Sequence, residues 1–365
     1  VTTNFSSIPA MWNHRVRSTP QSVAMLYRRG SDWVEMTWKQ ADEEVQAMAA
    51  GLISLGLQGK TAAIHGVTSP WWVMSDIAIL SNQGVTTTIY PSSTDAESLH
   101  ILQDSGASVL FCDSRDKAAL ALRHRADLPA LQAVVVSGSK PHGENDGFIF
   151  TVDELKAKGA TLLTTSPEIV SQGVRTITAD ALATIVYTSG TQGEPKGVML
   201  THGAWLYETA AIDQLGLITP QDRQYLFLPL AHSFARVMEM AFIRMGVPTA
   251  LDADNDNLFA NLQAVKPTFF ASVPRLFEVA YAHLVSETLS SSKLNRHLLH
   301  WGIDLGRRVS NHNQQGQEPN FALKVPFALA EKLIFKKIND QFGGDLRFII
   351  SGGAPLSSQL GQFFH

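Results

Sequence analysis

The sequence predicts an α/β protein made of two doubly wound subdomains. Three observations carry this expectation. Short apolar runs alternate with helix-length amphipathic stretches up to residue 136, the same rhythm restarts at Ala183, and a weakly patterned Gly-, Ser-, Thr- and Lys-rich stretch at 138–180 separates the two. Strand–helix–strand repetition of this kind implies parallel pairing, because a parallel crossover needs a connection long enough to hold a helix.

The first clear element is a helix opening at Thr37, where Gln40 three residues on completes a capping box. Val45, Met48, Ala49, Leu52 and Leu55 then recur on one face, and Gly56 ends the helix. Strands are predicted at Thr61–His65, Val85–Ile89, 108–112 and Ala133–Val136, with helices at 71–81, 96–103 and Arg115–Arg123 between them. Residues 138–180 read as a connecting region.

From Ala183 the segment ATIVY predicts a buried strand, and VMLTH a return strand after a glycine-rich loop. A helix at 203–214, a strand at 225–230, a helix at 236–245 and strands at 248–251, 268–271 and 346–351 follow. Residues 281–345 form a long, mostly helical insertion. The expected division is therefore a subdomain at 1–180 and a second at 181–365, with a ligand in the crevice between them, where α/β sheets usually bind.

Composition bounds the function. At 365 residues the chain is too long for one small core, and 45% apolar with 17% charged residues fits a globular, enzyme-sized protein. A net charge of −4 argues against nucleic acid as the main partner, which usually draws a basic excess. Cys112 is the single cysteine, which excludes an internal disulfide and a cysteine-based metal cluster and fits a reducing cytoplasm. Following Leu110 and Phe111, it reads as a small buried hydrophobe. No run of about 18 uncharged apolar residues predicts a spanning helix, and the amino terminus lacks the charged head and apolar core of a secretory signal. A start at Val1 and a stop at Phe363, Phe364 and His365 without a capping signal lead us to expect a chain cut inside a domain.

The richest chemical signal is 187–197, YTSGTQGEPKG, which combines three glycines, hydroxyls and one lysine. Glycines let backbone N–H groups approach phosphate oxygens, while hydroxyls and a lysine add donors and charge. Glycine and proline would equally suit a plain exposed turn. It is not a Walker loop: counted from Gly190, the sixth position is Pro195, and Lys196 is followed by Gly197. Nor is it a dinucleotide turn, since Gln192 stands where G-x-G-x-x-G requires glycine.

The stretch resembles the phosphate-binding signature of the adenylate-forming superfamily of acyl-CoA synthetases, adenylation domains and luciferases, departing at Gln192, where a second threonine is usual. Three further stretches resemble the same superfamily in order: LPLAHSFARVMEM from Leu228, ASVPRLFE from Ala271 and FIISGGAPL from Phe348. The pairing of LPLAHxFxRVxE with the long helical insertion is most similar to the long-chain fatty acyl-CoA synthetase branch, with Ala235 standing where that branch leads us to expect an acidic residue.

The resemblance implies a large amino-terminal domain of two doubly wound α/β subdomains. It also implies a two-step reaction: a fatty carboxylate attacks the α-phosphorus of ATP to give acyl-adenylate and pyrophosphate, and coenzyme A then displaces AMP. Thr188, Ser189, Gly190, Thr191, Gly193 and Lys196 would hold the β- and γ-phosphates, with Gln192 the polar substitute in the same loop. Thr188 would also reach Mg²⁺. His232 would line the acyl and thioester pocket, and Gly352, Gly353, Ala354 and Pro355 would flank adenine and the acyl carbonyl. Outside the resemblance, His232 reads better as a satisfied histidine at a strand end than as a pocket residue, and Arg275 reads equally as a structural cap or pair and as a substrate contact.

The family pattern continues into a glutamate segment and a small domain with a lysine that assists adenylation. This sequence contains neither, so these residues alone are expected not to complete the cycle. Two alternatives stay open: a ligase passing acyl-AMP to a carrier protein, and a nucleotide- or acyl-binding module without turnover. Finally, 322–338 places Phe327, Ala330, Leu333, Ile334 and Ile338 towards one face and Lys324, Lys332, Lys336 and Lys337 largely elsewhere. That pattern serves a helix packed on the core, or one lying peripherally on the inner face of an anionic membrane.

Overall fold

The computed structural model describes residues 3–141, 147–188, 194–289, 293–314 and 320–364. They fall into two compact units, one of Val1–Asp222 with Leu226–Ala253 and one of Arg223–Tyr225 with Asp254–His365. This division departs from the boundary expected at residue 180, because the hairpin carrying the glycine-rich loop joins the sheet of the first unit.

In the first unit, α1 (Ile8–Ser18) is capped by Ser7 and precedes a β1 (Val23–Arg29), β2 (Asp32–Thr37) hairpin. Helix α2 (Trp38–Ser54) opens on the expected capping box: Gln40 N–H donates to Thr37 Oγ1 at 3.2 Å and Thr37 N–H to Gln40 Oε1 at 2.9 Å. The alternation then runs β3 (Thr61–His65), α3 (Pro70–Ser81), β4 (Val85–Ile89), α4 (Asp95–Asp104), β5 (Val109–Cys112), α5 (Arg115–Arg123) and β6 (Ala133–Val136), close to the sequence reading.

Residues 138–180 are more structured than expected. They supply β7 (Ile149–Thr151), α6 (Val152–Thr165) and α7 (Ile169–Val174). The glycine that argued for a connection instead permits close packing: a Cβ at Gly159 would lie 1.9 Å from the carbonyl oxygen of Ala47, and one at Gly51 would lie 2.4 Å from that of Leu155. The two glycines let α6 and α2 touch backbone to backbone.

β8 (Leu182–Thr188) and β9 (Lys196–Thr201) complete a sheet in the order β7-β6-β5-β3-β4-β8-β9, parallel except for β9. Ala63, Leu110, Cys112, Val134 and Val136 pack with Ile101 and Leu102 of α4 and Ala118 and Ala121 of α5. Their neighbours Ala62, Ile64, Phe111 and Val135 are equally buried on the other face. Both faces are covered, as a parallel sheet requires.

After α8 (His202–Gln214) the chain makes the short strand β10 (Gln224–Leu226), then α9 (Ser233–Met245) and β11 (Thr249–Leu251). The strand expected over 225–230 stops early, since Leu228 and Leu230 bond to a threonine side chain instead of a ladder. β11 pairs in parallel with β1, Met25 opposite Thr249. At the end of α9, Gly246 adopts φ 72° and Arg15 of α1 donates to the carbonyls of Ile243 and Arg244. A guanidinium at the terminal carbonyls completes their hydrogen bonding and complements the helix dipole.

In the second unit, α10 (Leu258–Val265) leads to β12 (Phe269–Ser272), which pairs in parallel with β10. The helical insertion comprises α11 (Pro274–Leu289), α12 (Lys293–Gln314), α13 (Phe321–Ala330), a π-helical turn at Glu331–Phe335 and α14 (Lys336–Gln341). β13 (Phe348–Ser351) pairs in parallel with β12, and α15 (Ser358–Phe364) follows. Leu323, Phe327, Ala330, Phe335 and Ile338 pack with Leu305 of α12, so part of the amphipathic stretch meets protein. Among the described residues no helix is long and apolar enough to cross a membrane.

Candidate functional site

The glycine-rich loop hangs from the β8–β9 hairpin. Thr188 and Lys196 stand opposite each other at its end, both exposed, while Ser189, Gly190, Thr191, Gln192 and Gly193 lie outside the described residues. One step down the hairpin, Tyr187 faces Gly197. A Cβ at residue 197 would lie 2.7 Å from Ile185 Cγ2 and 3.1 Å from Tyr187 Cζ, so the glycine makes room for the tyrosine ring. Tyr187 O–H donates to Asp104 Oδ2 of α4 at 2.6 Å; burial, and then that carboxylate, push the phenol's pKa up.

His232 reaches the same edge of the sheet by a different route. Thr68 Oγ1 donates to the carbonyl of Leu228 at 2.6 Å and accepts from Leu230 N–H at 3.2 Å, and Thr88 Oγ1 of β4 donates to the carbonyl of Ala231 at 3.1 Å. Two buried threonines, one just after β3 and one on β4, thus pin the turn before α9 to the carboxyl ends of these neighbouring strands, β4 lying next to β8. His232 caps α9, its Nδ1 accepting from Phe234 N–H at 3.2 Å. In a neutral ring the proton is therefore on Nε2. The exposed ring meets Tyr90 edge-on at 6.2 Å. Neither threonine nor Tyr90 carried a signal in the sequence, since their partners lie far along the chain.

Behind this edge lies a buried charge cluster. Arg236 Nη1 is 2.5 Å from Asp76 Oδ2 of α3 and 2.7 Å from Glu239 Oε2, all three fully buried, and Nη2 reaches Thr184 Oγ1 of β8 at 3.3 Å. The guanidinium lies over the rings of Trp72 at 5.1 Å and Trp205 at 5.5 Å. Burial drives Glu239 up to about 8, against the opposing pull of Arg236 and with help from Asp76. One cation thus serves two carboxylates, one of which keeps its proton near neutrality. Ala235, where the family pattern led us to expect an acid, is also fully buried.

At the carboxyl ends of β3 and β4 a cavity of about 380 Å³ is lined by His65, Pro91, Ser93, Asp95, Lys117 and Arg123, among others. Lys117 pairs with Asp113 at 2.8 Å and Arg123 with Asp95 at 3.7 Å, so both of its cations already have carboxylate partners. Burial, and then Lys117, push His65 down to about 4, and its Nε2 has no protein partner among the described residues. Cys112 behind it is driven up to about 12 by burial and is a packing residue, not a nucleophile.

In the second unit the ASVPRLFE and FIISGGAPL segments become neighbouring strands, Ser272 opposite Ser351. Gly352 N–H donates to the carbonyl of Ser272 at 3.1 Å, Gly353 takes φ 80°, and Gly353, Ala354 and Pro355 are exposed. Arg275 pairs with Glu278 at 2.8 Å on the first turn of α11. The described residues contain no group of three or more His, Cys, Asp or Glu side chains arranged to hold a metal.

A family model described as AMP-binding enzyme matches residues 12–365. The long-chain-fatty-acid–CoA ligase FadD15 of Mycobacterium bovis is 31% identical over 366 residues, covering 98% of this chain and 58% of that protein. The peroxisomal long chain acyl-CoA synthetase 6 of Arabidopsis thaliana is 28% identical over 91% of this chain and 46% of its own length. Among solved structures, the didomain of carboxylic acid reductase from Segniliparus rugosus superposes with a TM-score of 0.72 at 18% identity, covering 99% of this chain and 51% of that one. The chain thus spans about half the length of the relatives it matches.

Proposed function

Since the chain belongs to the AMP-binding enzyme family, we propose that it is the amino-terminal part of a long-chain fatty acid–CoA ligase. The observation that carries this reading is the 31% identity to a long-chain ligase across 98% of the chain. The placement of Thr188, Lys196 and His232 at one sheet edge supports it. In this reading a fatty carboxylate and ATP form acyl-AMP and pyrophosphate, and coenzyme A then takes the acyl group as a thioester.

The residues divide the work as follows. Thr188 and Lys196 face each other at the mouth of the hairpin, where a hydroxyl and an ammonium can bind phosphate oxygens and offset their charge. Ser189, Gly190, Thr191, Gln192 and Gly193 complete the loop by sequence. Mg²⁺, when bound, neutralises charge on the leaving pyrophosphate. Its fit here rests on one exposed protein hydroxyl, Thr188, beside the phosphates, and Mg²⁺ is commonly held by few protein groups plus phosphate and water. His232 presents an exposed Nε2–H towards solvent at the start of α9 and serves as a donor lining the acyl and thioester pocket. Gly353, Ala354 and Pro355 are exposed and, with the half-buried Gly352 before them, would flank adenine and the acyl carbonyl.

Fatty-acid-dependent exchange of labelled pyrophosphate into ATP tests the adenylation half. Exchange with long-chain acids, by these residues or by the full-length ligase of which they form the amino-terminal part, supports the reading, and none by either with any acid removes it. Supplying coenzyme A or a phosphopantetheinyl carrier protein then identifies the acceptor. Localisation belongs to the same proposal: a cytoplasmic enzyme touching the inner face of the membrane peripherally. Phe321, Val325 and Leu329 leave apolar surface exposed along α13, at 82%, 53% and 53%, near the exposed Lys332 and Lys336. Flotation with anionic vesicles that is unchanged by reversing those two lysines would dismiss that contact.

A further inference from the structure

Helix α4 ends on an acid. Asp104 is its last residue, and its first turn already holds Asp95 and Glu97 with a capping box to Thr94. A carboxylate at a helix carboxyl end opposes the dipole, so its position calls for a compensating partner. Tyr187 O–H provides it at 2.6 Å. One turn earlier on the same face, His100 Nε2 lies 2.9 Å from the carbonyl oxygen of Pro195. A carbonyl only accepts, so this nitrogen carries the proton. The imidazole also meets the Tyr187 ring edge-on, with centroids 6.4 Å apart at 86°.

Tyr187 and Pro195 flank the glycine-rich loop on its two sides. Tyr187 in turn fills the space that Gly197 leaves. Residues of one helical face therefore hold both stems. Glu194 lies 3.5 Å from His100 Nδ1 but is 82% exposed, and a pair so open to water adds little. The buried side of the contact, to Pro195, is the anchor.

We propose that His100 is a positioning residue for the nucleotide, holding the outgoing stem of the phosphate loop through the Pro195 carbonyl. This rests on the ligase reading for its nucleotide, but not for the anchor itself. Losing one such bond costs about tenfold in affinity. In the full-length ligase, His100→Ala should raise the KM for MgATP about tenfold while the KM for fatty acid and kcat stay within twofold. His100→Gln, whose amide can donate to the same carbonyl, should recover most of the loss. In nucleotide-free protein, amide exchange across 194–201 should accelerate in His100→Ala and return in His100→Gln, with the melting temperature little changed.

Unchanged exchange in His100→Ala overturns the anchor, and equal KM rises for ATP and acid overturn the positioning role. A full-length wild-type protein that neither binds MgATP nor exchanges pyrophosphate removes the ligase reading, while the amide measurement still judges the anchor.

Discussion

Arg236 of α9 and Asp76 of α3 meet at 2.5 Å in a fully buried ion pair that Glu239 shares through the same Nη1. Removing one partner of a buried pair leaves an uncompensated charge, so Arg236→Ala or Asp76→Ala should cost about 3–5 kcal/mol in urea unfolding. Glu239→Gln should cost less than about 1 kcal/mol, because burial already holds a proton on that carboxyl. Equal losses at all three positions would show that Glu239 is charged in the folded protein.

Gly197→Ala inserts a methyl 2.7 Å from Ile185 Cγ2. Overpacking of this kind should destabilise by about 1–3 kcal/mol. Adding Ile185→Ala removes that Cγ2, so the double mutant should lose less than the sum of the single changes, a coupling measurable by chemical denaturation.

His202 and His65 give the fold an acid limit. His202 Nδ1 accepts from Ile8 N–H at 3.3 Å, and burial holds this histidine down to about 4, like His65. An unfolded histidine protonates near 6.5, so the unfolded chain binds more protons between these values. Stability is fully present above pH 6.5 and falls as the pH drops towards 4, by roughly 2 kcal/mol per histidine. His202→Asn, which keeps an acceptor but does not titrate, should flatten part of that slope in urea midpoints measured from pH 7.5 to 4.5.

Under the proposed function, Lys196→Ala should lower kcat/KM for pyrophosphate exchange about 100-fold or more, since it removes the hairpin's cation. His232→Ala should leave exchange nearly intact and slow thioester formation. A loss of exchange as large as that of Lys196→Ala would place His232 in the adenylation half instead.

Much of the fold was legible because its signals are local. The capping box at Thr37, the strand at Thr61–His65 and the helix at Arg115–Arg123 each follow from spacing within one element. Where sequence reasoning stopped, the deciding contact was distant. The stretch at 138–180 read as a connection because nothing nearby shows that one of its glycines, Gly159, must clear Ala47. The strand expected through Leu230 is a turn because Thr68, 162 positions away, binds it. The hairpin at 187–197 was read as a phosphate loop from composition, yet the helix that holds its stems could be found only in three dimensions.

The capping of α9 by Arg15 carries a consequence for synthesis. The contact closes a separation of 228 residues, and α1 is tied to His202 across 194 more by its first N–H. Contacts this non-local form late, after the loops they close have been ordered. As the chain emerges from the ribosome, α1 therefore waits for residues near 245 before it finds its seat. Helix α1 is made well before its partners and is among the last elements secured, leaving its apolar face in need of protection during translation.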